Sequence, residues 1–337
     1  MWRDNLRFLS KLTGKRIWNA LGLVFSFMYS RVTKSPVNHY MPVALAVEPT
    51  TSCNLRCPEC PSGLRSFTRP TGMLRKDMFE KLLAEIGDTL MYLTFYFQGE
   101  PYLHKDFLGM VRLATSRKIY TSTSTNAHYL TPENALETVK SGLDRLIVSI
   151  DGTTQEVYQQ YRIGGKLNKV LEGTRNIMLA KKEMKSSTPH VIFQFLVVKP
   201  NEYQMQDVRK LAKELGVDEL RFKTAQIYDY ENGSDLIPEN DRFSRYKKGL
   251  NGQWSIKSKL IDHCWKMWHS AVITWDGIVV PCCFDKDAEY RMGNVSEASF
   301  QEVWYSENYK GFRDSLIGGR KNIEMCKNCT EGTKIWG

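Results

Sequence analysis

Apolar positions along this chain keep two rhythms that take turns. Short strand-like runs occur at Val43–Val47, Tyr92–Phe97, Ile119–Thr123, Arg145–Ile150, Val191–Val198 and Glu219–Lys223. Their lengths, and their β-branched and aromatic content, are those of buried strands. Between them apolar residues recur at helical spacing, in Met78–Ile86, Leu103–Ala114, Glu133–Ser141, Asn168–Lys185 and Met205–Leu215. Strand–helix alternation predicts parallel strands joined by helical crossovers. Six repeats fall short of the eight of a full barrel, so the expected fold is α/β, a partial (β/α)6 TIM-like barrel. Chemistry in such folds gathers where the strands end.

The alternation fails at both ends of the chain, which divides it. Residues 1–42 read as a basic amphipathic arm, closed by Pro36 and Pro42, and residues 43–225 as the core. Residues 226–262, rich in Tyr, Asn, Gly and Asp, read as a connection. Residues 263–337 hold five cysteines and several tryptophans, with a helix expected only over Ser299–Ile317, and read as a small metal-stapled domain.

Composition narrows the function classes. The chain has 337 residues, 42% hydrophobic and 25% charged, enough for one large core with an appendage. No apolar run is long enough for a membrane-spanning helix. The formal charge is +10, and in residues 1–34 seven Lys and Arg face Asp4 alone. Leu6, Leu9, Ile17, Leu21, Val24 and Met28 recur there at roughly helical spacing. Two readings of the arm stand: peripheral contact with an anionic membrane surface, or a helical arm docked on the protein's own body. The core lacks a concentrated basic patch, so no nucleic-acid partner is expected. Ile17–Ser30 mimics the apolar part of a signal peptide, but Arg31-Val32-Thr33-Lys34 is a poor cleavage context. The expected location is cytoplasmic, peripheral at the inner membrane face under the first reading of the arm.

Cysteine placement carries the chemistry. Cys53, Cys57 and Cys60 follow the first strand with C-x3-C-x2-C spacing. Three thiolates are one short of a closed tetrahedral site, and open sites are the reactive ones. Clustered spacing favours metal binding over disulfides. Strand ends supply further motifs: Gln98-Gly99-Glu100-Pro101 after the second strand, Thr123-Ser124-Thr125-Asn126 at the third, Ser149-Ile150-Asp151-Gly152 at the fourth, then Tyr161-Arg162-Ile163-Gly164-Gly165. Taken singly, Glu100-Pro101 also fits an ordinary helix start and Asp151-Gly152 an ordinary turn.

In this order and at these strand ends, the motifs resemble the radical S-adenosylmethionine (SAM) superfamily over about residues 43–330. That resemblance implies a [4Fe–4S] cluster on Cys53, Cys57 and Cys60, with SAM chelating the fourth iron. Reductive cleavage of SAM then gives a 5′-deoxyadenosyl radical that abstracts hydrogen from the substrate. Glu100 would accept from the SAM ammonium within the Gln98–Pro101 motif, while Gly99 allows close backbone approach. Ser122, Ser124, Asn126, Ser149 and Asp151 are candidates for the ribose and carboxylate, Arg162 for the carboxylate, and Leu196 for packing on adenine. Glu59 stands where the family usually has an aromatic residue, which puts that side chain's adenine contact in doubt.

The string Cys264-x12-Gly277-x4-Cys282, closed by Cys326-x2-Cys329, resembles a SPASM-type auxiliary cluster domain in its shortened, twitch form. The resemblance implies a second, fully ligated [4Fe–4S] cluster on Cys264, Cys282, Cys326 and Cys329, with Cys283 the alternative to Cys282. Zinc also suits four cysteines with a C-x2-C hook. A closed cluster would accept an electron from the substrate radical, giving net oxidation of a small-molecule or lipid-borne substrate. A reductant such as flavodoxin or ferredoxin would serve the first cluster. Alternatives are modification of a peptide or protein side chain, and a non-catalytic electron-transfer protein.

Alternation along the strands adds one expectation. With Phe193, Phe195 and Val197 outward, Gln194 and Leu196 face the lumen, and so do Arg221 and Lys223. Inward cations need partners, either an anionic substrate group or an internal acid such as Glu48. Lys223 and Tyr96 are candidate substrate contacts, and Tyr96, His128, Lys223 and Tyr228 candidate general bases.

Overall fold

The computed structural model describes residues 2–332, so the last residues of the expected C-terminal domain lie outside the description. The chain opens with α1 (Trp2–Leu9) and α2 (Gly14–Thr33). The core follows as β1 (Ala44–Val47), α3 (Pro61–Leu64), α4 (Lys76–Ile86), β2 (Tyr92–Thr94), α5 (Phe107–Ser116), β3 (Tyr120–Thr125), α6 (Pro132–Lys140) and β4 (Arg145–Ser149). It continues through α7 (Gln155–Tyr161), α8 (Leu167–Glu183), β5 (His190–Val197), α9 (Met205–Glu214) and β6 (Glu219–Thr224). After β7 (Tyr246–Lys248) and β8 (Trp254–Ile256) come α10 (Lys266–His269), β9 (Ser270–Ile273), β10 (Ile278–Val280), β11 (Gly293–Asn294), α11 (Phe300–Trp304), α12 (Glu307–Gly319) and α13 (Glu324–Lys327).

Strands β1 to β6 pair in parallel in chain order, forming an α/β partial barrel. In β5, Val191, Phe193, Phe195 and Val197 are fully buried, whereas Gln194 and Leu196 are only partly so. The alternation predicted from sequence therefore holds on that strand. The C-terminal segment does not stand apart from this sheet. Strand β9 pairs in parallel with β1, and β10 and β11 continue antiparallel, giving one sheet ordered β11-β10-β9-β1-β2-β3-β4-β5-β6. The expected helix over Ser299–Ile317 is two, because Ser299 builds a capping box and Ser306 caps a new start, accepting from Tyr309 N.

The connection is tied to the C-terminal hook by Tyr246. Its hydroxyl accepts from Ile227 N at 2.8 Å and donates to Asn328 Oδ1 at 2.9 Å. Asn328 Nδ2 in turn donates to Ile227 O at 2.6 Å.

The arm docks on the body, the second of its two readings, and covers the end of the barrel where strands begin. Asp4 accepts from the Tyr120 hydroxyl and from Arg145 at the starts of β3 and β4. Lys11 pairs with Asp144, which also accepts from Arg7 Nε at 2.9 Å. Arg16 donates to the carbonyls of Lys11, Gly87, Arg117 and Lys118 at 2.5–3.0 Å. Two of these, Gly87 and Arg117, are the C-caps of α4 and α5, whose unsatisfied carbonyls favour a cation. Further along, Phe27 meets the rings of Trp265 and Trp268 at 5.2 Å.

The inward cations need correction. Arg221 pairs with Glu219, two residues away on the same strand face, at 2.6 and 3.0 Å, and so is not waiting for a substrate anion. Burial opposes ionisation of Glu219, but Arg221 and His190 together hold its carboxyl down at about 2. Glu48 is not the partner of either cation. It forms a buried two-pronged pair with Arg69 at 2.6 and 2.8 Å.

Candidate active site

The three-cysteine loop leaves the end of β1 and is stitched to its neighbours through backbone groups. Gly99 N donates to Ser62 Oγ at 2.9 Å, Glu100 N to Ser52 O at 2.8 Å, and Arg56 N to Ile163 O at 2.9 Å. Gly99 has φ +75°, and a Cβ there would fall 2.1 Å from Thr50 O, so only glycine fits this crossing. Sequence reading named Gly99 for cofactor approach, whereas the near neighbour is the protein's own backbone.

Each of the three sulfurs has a polar contact. Cys53 Sγ accepts from Leu55 N at 3.4 Å and lies 3.9 Å from Asn126 Nδ2. Arg162 Nη1 approaches Cys57 Sγ at 3.6 Å, and Cys60 Sγ sits 3.7 Å from Gln98 Oε1. Burial raises the Cys53 thiol to about 11, and also raises Cys57 against the opposing pull of Arg162. Such thiols ionise when a metal supplies positive charge.

Glu100 is buried directly behind this loop. Its carboxylate accepts from Thr125 Oγ1 at 2.7 Å, Asn126 N at 2.8 Å and Tyr102 N at 3.3 Å. Burial pushes it up to about 7, with the hydrogen bonds partly offsetting. The bond to Tyr102 N also caps the short turn begun by Pro101, so the helix-start reading of this dipeptide holds as well.

Cys53, Cys57, Cys60, Tyr96, Gly99, Glu100, Ser124, Asn126, Ser149 and Arg162 line one cavity. Two residues before Ser124 on β3, and so on the same strand face, Ser122 Oγ is buried without a hydrogen-bond partner. Together with the three thiols, the Gly99 crossing and a buried carboxylate, this set suits a cluster with a polar ligand carrying ammonium and carboxylate groups.

Other expected residues are engaged differently. Asp151 has both oxygens taken within the protein, Oδ2 by Arg162 Nε at 2.5 Å and Oδ1 by Leu196 N at 2.7 Å. It therefore positions Arg162 and the end of β5. Arg162 spends its charge on Asp151 and Cys57. Leu196 packs against the same apolar cluster as Cys53 and Cys60, the one that includes Leu55, Cys57 and Val198. His128 accepts from Lys166 N at Nε2, 2.9 Å, and burial lowers its pKa, so it is a neutral structural acceptor outside the cavity. Lys223 is exposed and does not line the cysteine cavity.

Sequence reading missed Asn54, Ser62 and Tyr161. Asn54 Oδ1 receives Asn126 Nδ2 at 2.7 Å, and the Arg162 guanidinium lies 5.6 Å from the Tyr161 ring. Tyr161 stood beside Arg162 in the motif, a usable signal, whereas nothing local marked Ser62. Glu59, the departure from the family pattern, accepts from Tyr228 N at 2.9 Å and ties the cysteine loop to the connection.

The second cysteine set lies on the C-terminal segment. Cys264, Cys282, Cys326 and Cys329 are buried and Cys283 is exposed. Arg320 Nη2 donates to Cys329 Sγ at 3.1 Å, and Glu331 N to the same sulfur at 3.3 Å. A Cβ on Gly332, φ +79°, would fall 2.2 Å from Cys264 Sγ. The Cys283 thiol stays beside that of Cys282, hydrogen-bonded to it, and lies 3.8 Å from Lys266 Nζ. Among the described residues, no three His, Cys, Asp or Glu side chains converge as they would around a single metal ion. A separate cavity of about 800 Å³, lined by neither set's cysteines, has Pro61, Tyr228, Phe284, Lys286 and Asn328 among its walls. Lys286 Nζ stands 4.8 Å from the centre of the Tyr228 ring.

Residues 47–202 match the radical SAM superfamily, and residues 264–330 match SPASM, an iron–sulfur cluster-binding domain. The chain is 29% identical over 317 residues to the tungsten-containing aldehyde ferredoxin oxidoreductase cofactor-modifying protein of Pyrococcus furiosus, covering 85% of this chain and 86% of that one. It is 23% identical over 316 residues to PqqA peptide cyclase of Gluconobacter oxydans, covering 88% and 85%. In fold it is similar to Streptococcus suis SuiB bound to S-adenosylmethionine, at TM-score 0.63 and 15% identity over 88% of this chain and 73% of that one. It is also similar to BtrN in complex with AdoMet and 2-DOIA, at TM-score 0.56 and 20% identity over 89% and 96%. Both matches fall where the two cysteine sets lie, one on each, and the chain belongs to the radical SAM superfamily with a C-terminal SPASM iron–sulfur domain.

Proposed function

We propose that this chain is a radical SAM enzyme that modifies a peptide or protein side chain by removing hydrogen from it. The observation that carries this reading is the roughly 800 Å³ cavity walled by chain neighbours of both cysteine sets, Pro61, Phe284 and Asn328, together with Tyr228, Lys286 and acids such as Asp229 and Asp285. An open cleft of this kind admits a side chain presented on a longer chain. Support also comes from a relative whose name is PqqA peptide cyclase, and from a fold shared with SuiB bound to precursor peptide SuiA.

In this proposal Cys53, Cys57 and Cys60 hold the first [4Fe–4S] cluster, and Cys264, Cys282, Cys326 and Cys329 a second. When bound, SAM and the first cluster supply hydrogen abstraction from unactivated carbon. Glu100 receives the SAM ammonium, while Ser122, Ser124, Asn126 and Ser149 offer polar contacts around it. Asp151 holds Arg162 against Cys57, where the guanidinium offsets negative charge on the sulfur. Gln98 and Asn126 approach the other two sulfurs. Arg320 serves Cys329 in the same way at the second set, whose four thiolates leave no place for SAM and suit it to accept an electron.

A second reading, oxidation of a small-molecule or lipid-borne substrate, is favoured by one observation. The arm sits where the strands begin, away from the cysteine loop, so it does not clamp a peptide over the site. Anaerobic, reduced enzyme should release 5′-deoxyadenosine from SAM. A partner peptide that is captured by the enzyme and leaves turnover short of two hydrogens supports the first reading. Turnover with small polyols, and no peptide captured, replaces it with the second. No 5′-deoxyadenosine under any condition ends both.

A further inference from the structure

Helix α2 is built inside out. A surface helix ordinarily buries its apolar stripe and shows its polar one to water. Here the buried stripe is Arg16, Asn19, Leu23, Ser26, Phe27 and Ser30, mostly polar. The exposed face carries Trp18 at 72%, Leu21 at 59%, Phe25 at 69%, Tyr29 at 48% and Val32 at 81%. At 100° per residue the exposed set spans an arc of about 80° opposite the buried one. Helix α1 adds Trp2 at 73% and Leu9 at 57%. Close to half of the large apolar side chains exposed among the described residues lie within residues 2–32.

This orientation is fixed. Arg16 is held by four carbonyls, Asn19 exchanges hydrogen bonds with the Met41 backbone at 2.7 and 3.1 Å, and Ser30 does so with Val37 at 3.1 and 2.8 Å. Rolling the helix to hide its apolar side would strand these groups. The exposed apolar area is on the order of 1,000 Å², above the few hundred square ångströms a monomer ordinarily shows.

Charge and composition choose the occupant. Asp4, the one acid of residues 1–34, is buried, while Arg3, Arg31 and Lys34 are exposed around the apolar face, as is Lys15, which pairs with Asp88 at 2.8 Å. Exposed Trp and Tyr mixed with Lys and Arg suit the headgroup level of a bilayer. We propose that α1 and α2 dock this protein on an anionic membrane surface. The end where the strands begin then faces lipid, and the three-cysteine loop, which follows the end of β1, lies away from it.

The test is sedimentation of the full, cluster-reconstituted chain with phosphatidylcholine vesicles, with and without phosphatidylglycerol, alongside its size in solution. Binding to the anionic vesicles is expected, weakened about tenfold or more by W18E combined with F25E. Iron content and melting temperature should stay unchanged, because both side chains are exposed. Absent binding to anionic vesicles, or binding that the double variant leaves intact, overturns the proposal. A dimer that the double variant converts to monomer, with no vesicle binding, also overturns it and assigns the face to a second copy.

Discussion

Glu100 shows how burial prepares a residue for a charged ligand. Its raised pKa means that the protonated form is favoured in the fold. Its contribution to stability is therefore full below about 4.5 and is lost as pH rises through about 7. An incoming ammonium reverses the preference, since it needs the carboxylate. SAM affinity should thus fall as pH drops below about 7, approaching tenfold per pH unit well below it. Anaerobic calorimetry across that range checks this, and E100Q should bind weakly with a flat profile; a flat profile in the wild type would remove Glu100 from the site. Cys282 and Cys283 separate at the same scale. C282A should lose the second cluster, about four irons per chain, whereas C283A should keep it. Iron analysis with the reverse result would exchange the two. Sequence named both cysteines but had no way to rank neighbours on a turn, because their difference in burial arises only in the fold.

Elements bear the load that links the arm to the barrel. Arg16 serves the C-terminal carbonyls of α4 and α5 together, so one side chain holds three helices in register. R16A should cost about 3 kcal/mol, read as an earlier denaturation midpoint, and R16K should recover little, because a single ammonium lacks the fork that reaches several carbonyls. Periodicity located the strands to within a few residues, since faces repeat locally. It ran Ser299–Ile317 as one helix because apolar spacing continues through the break, where Ser306 supplies a cap.

Across the whole molecule, the sheet joins what composition divides. Strand β9 extends the barrel beside β1, so the SPASM segment is continuous with the core through backbone hydrogen bonds. Removing the second cluster should then leave the first working. C264A is expected to retain 5′-deoxyadenosine release while losing net oxidation of substrate, measured side by side; loss of both would make the second set a structural prop. The docking face and the cysteine loop lie at opposite ends of the strands, which favours a substrate arriving from water over one held in the same membrane.

The sequence by itself determined where the six barrel strands lie, the two cysteine sets and the Glu100 motif, because spacing along the chain is enough to write them. Tertiary structure alone decided how the charges pair. Arg69 takes Glu48, Arg162 takes Asp151, and Asp144 gathers Arg7 and Lys11 from far along the chain. It also decided that α2 turns its polar stripe inward. A helical period defines two faces but not which one meets the body, and here buried carbonyls at the ends of other helices made that choice.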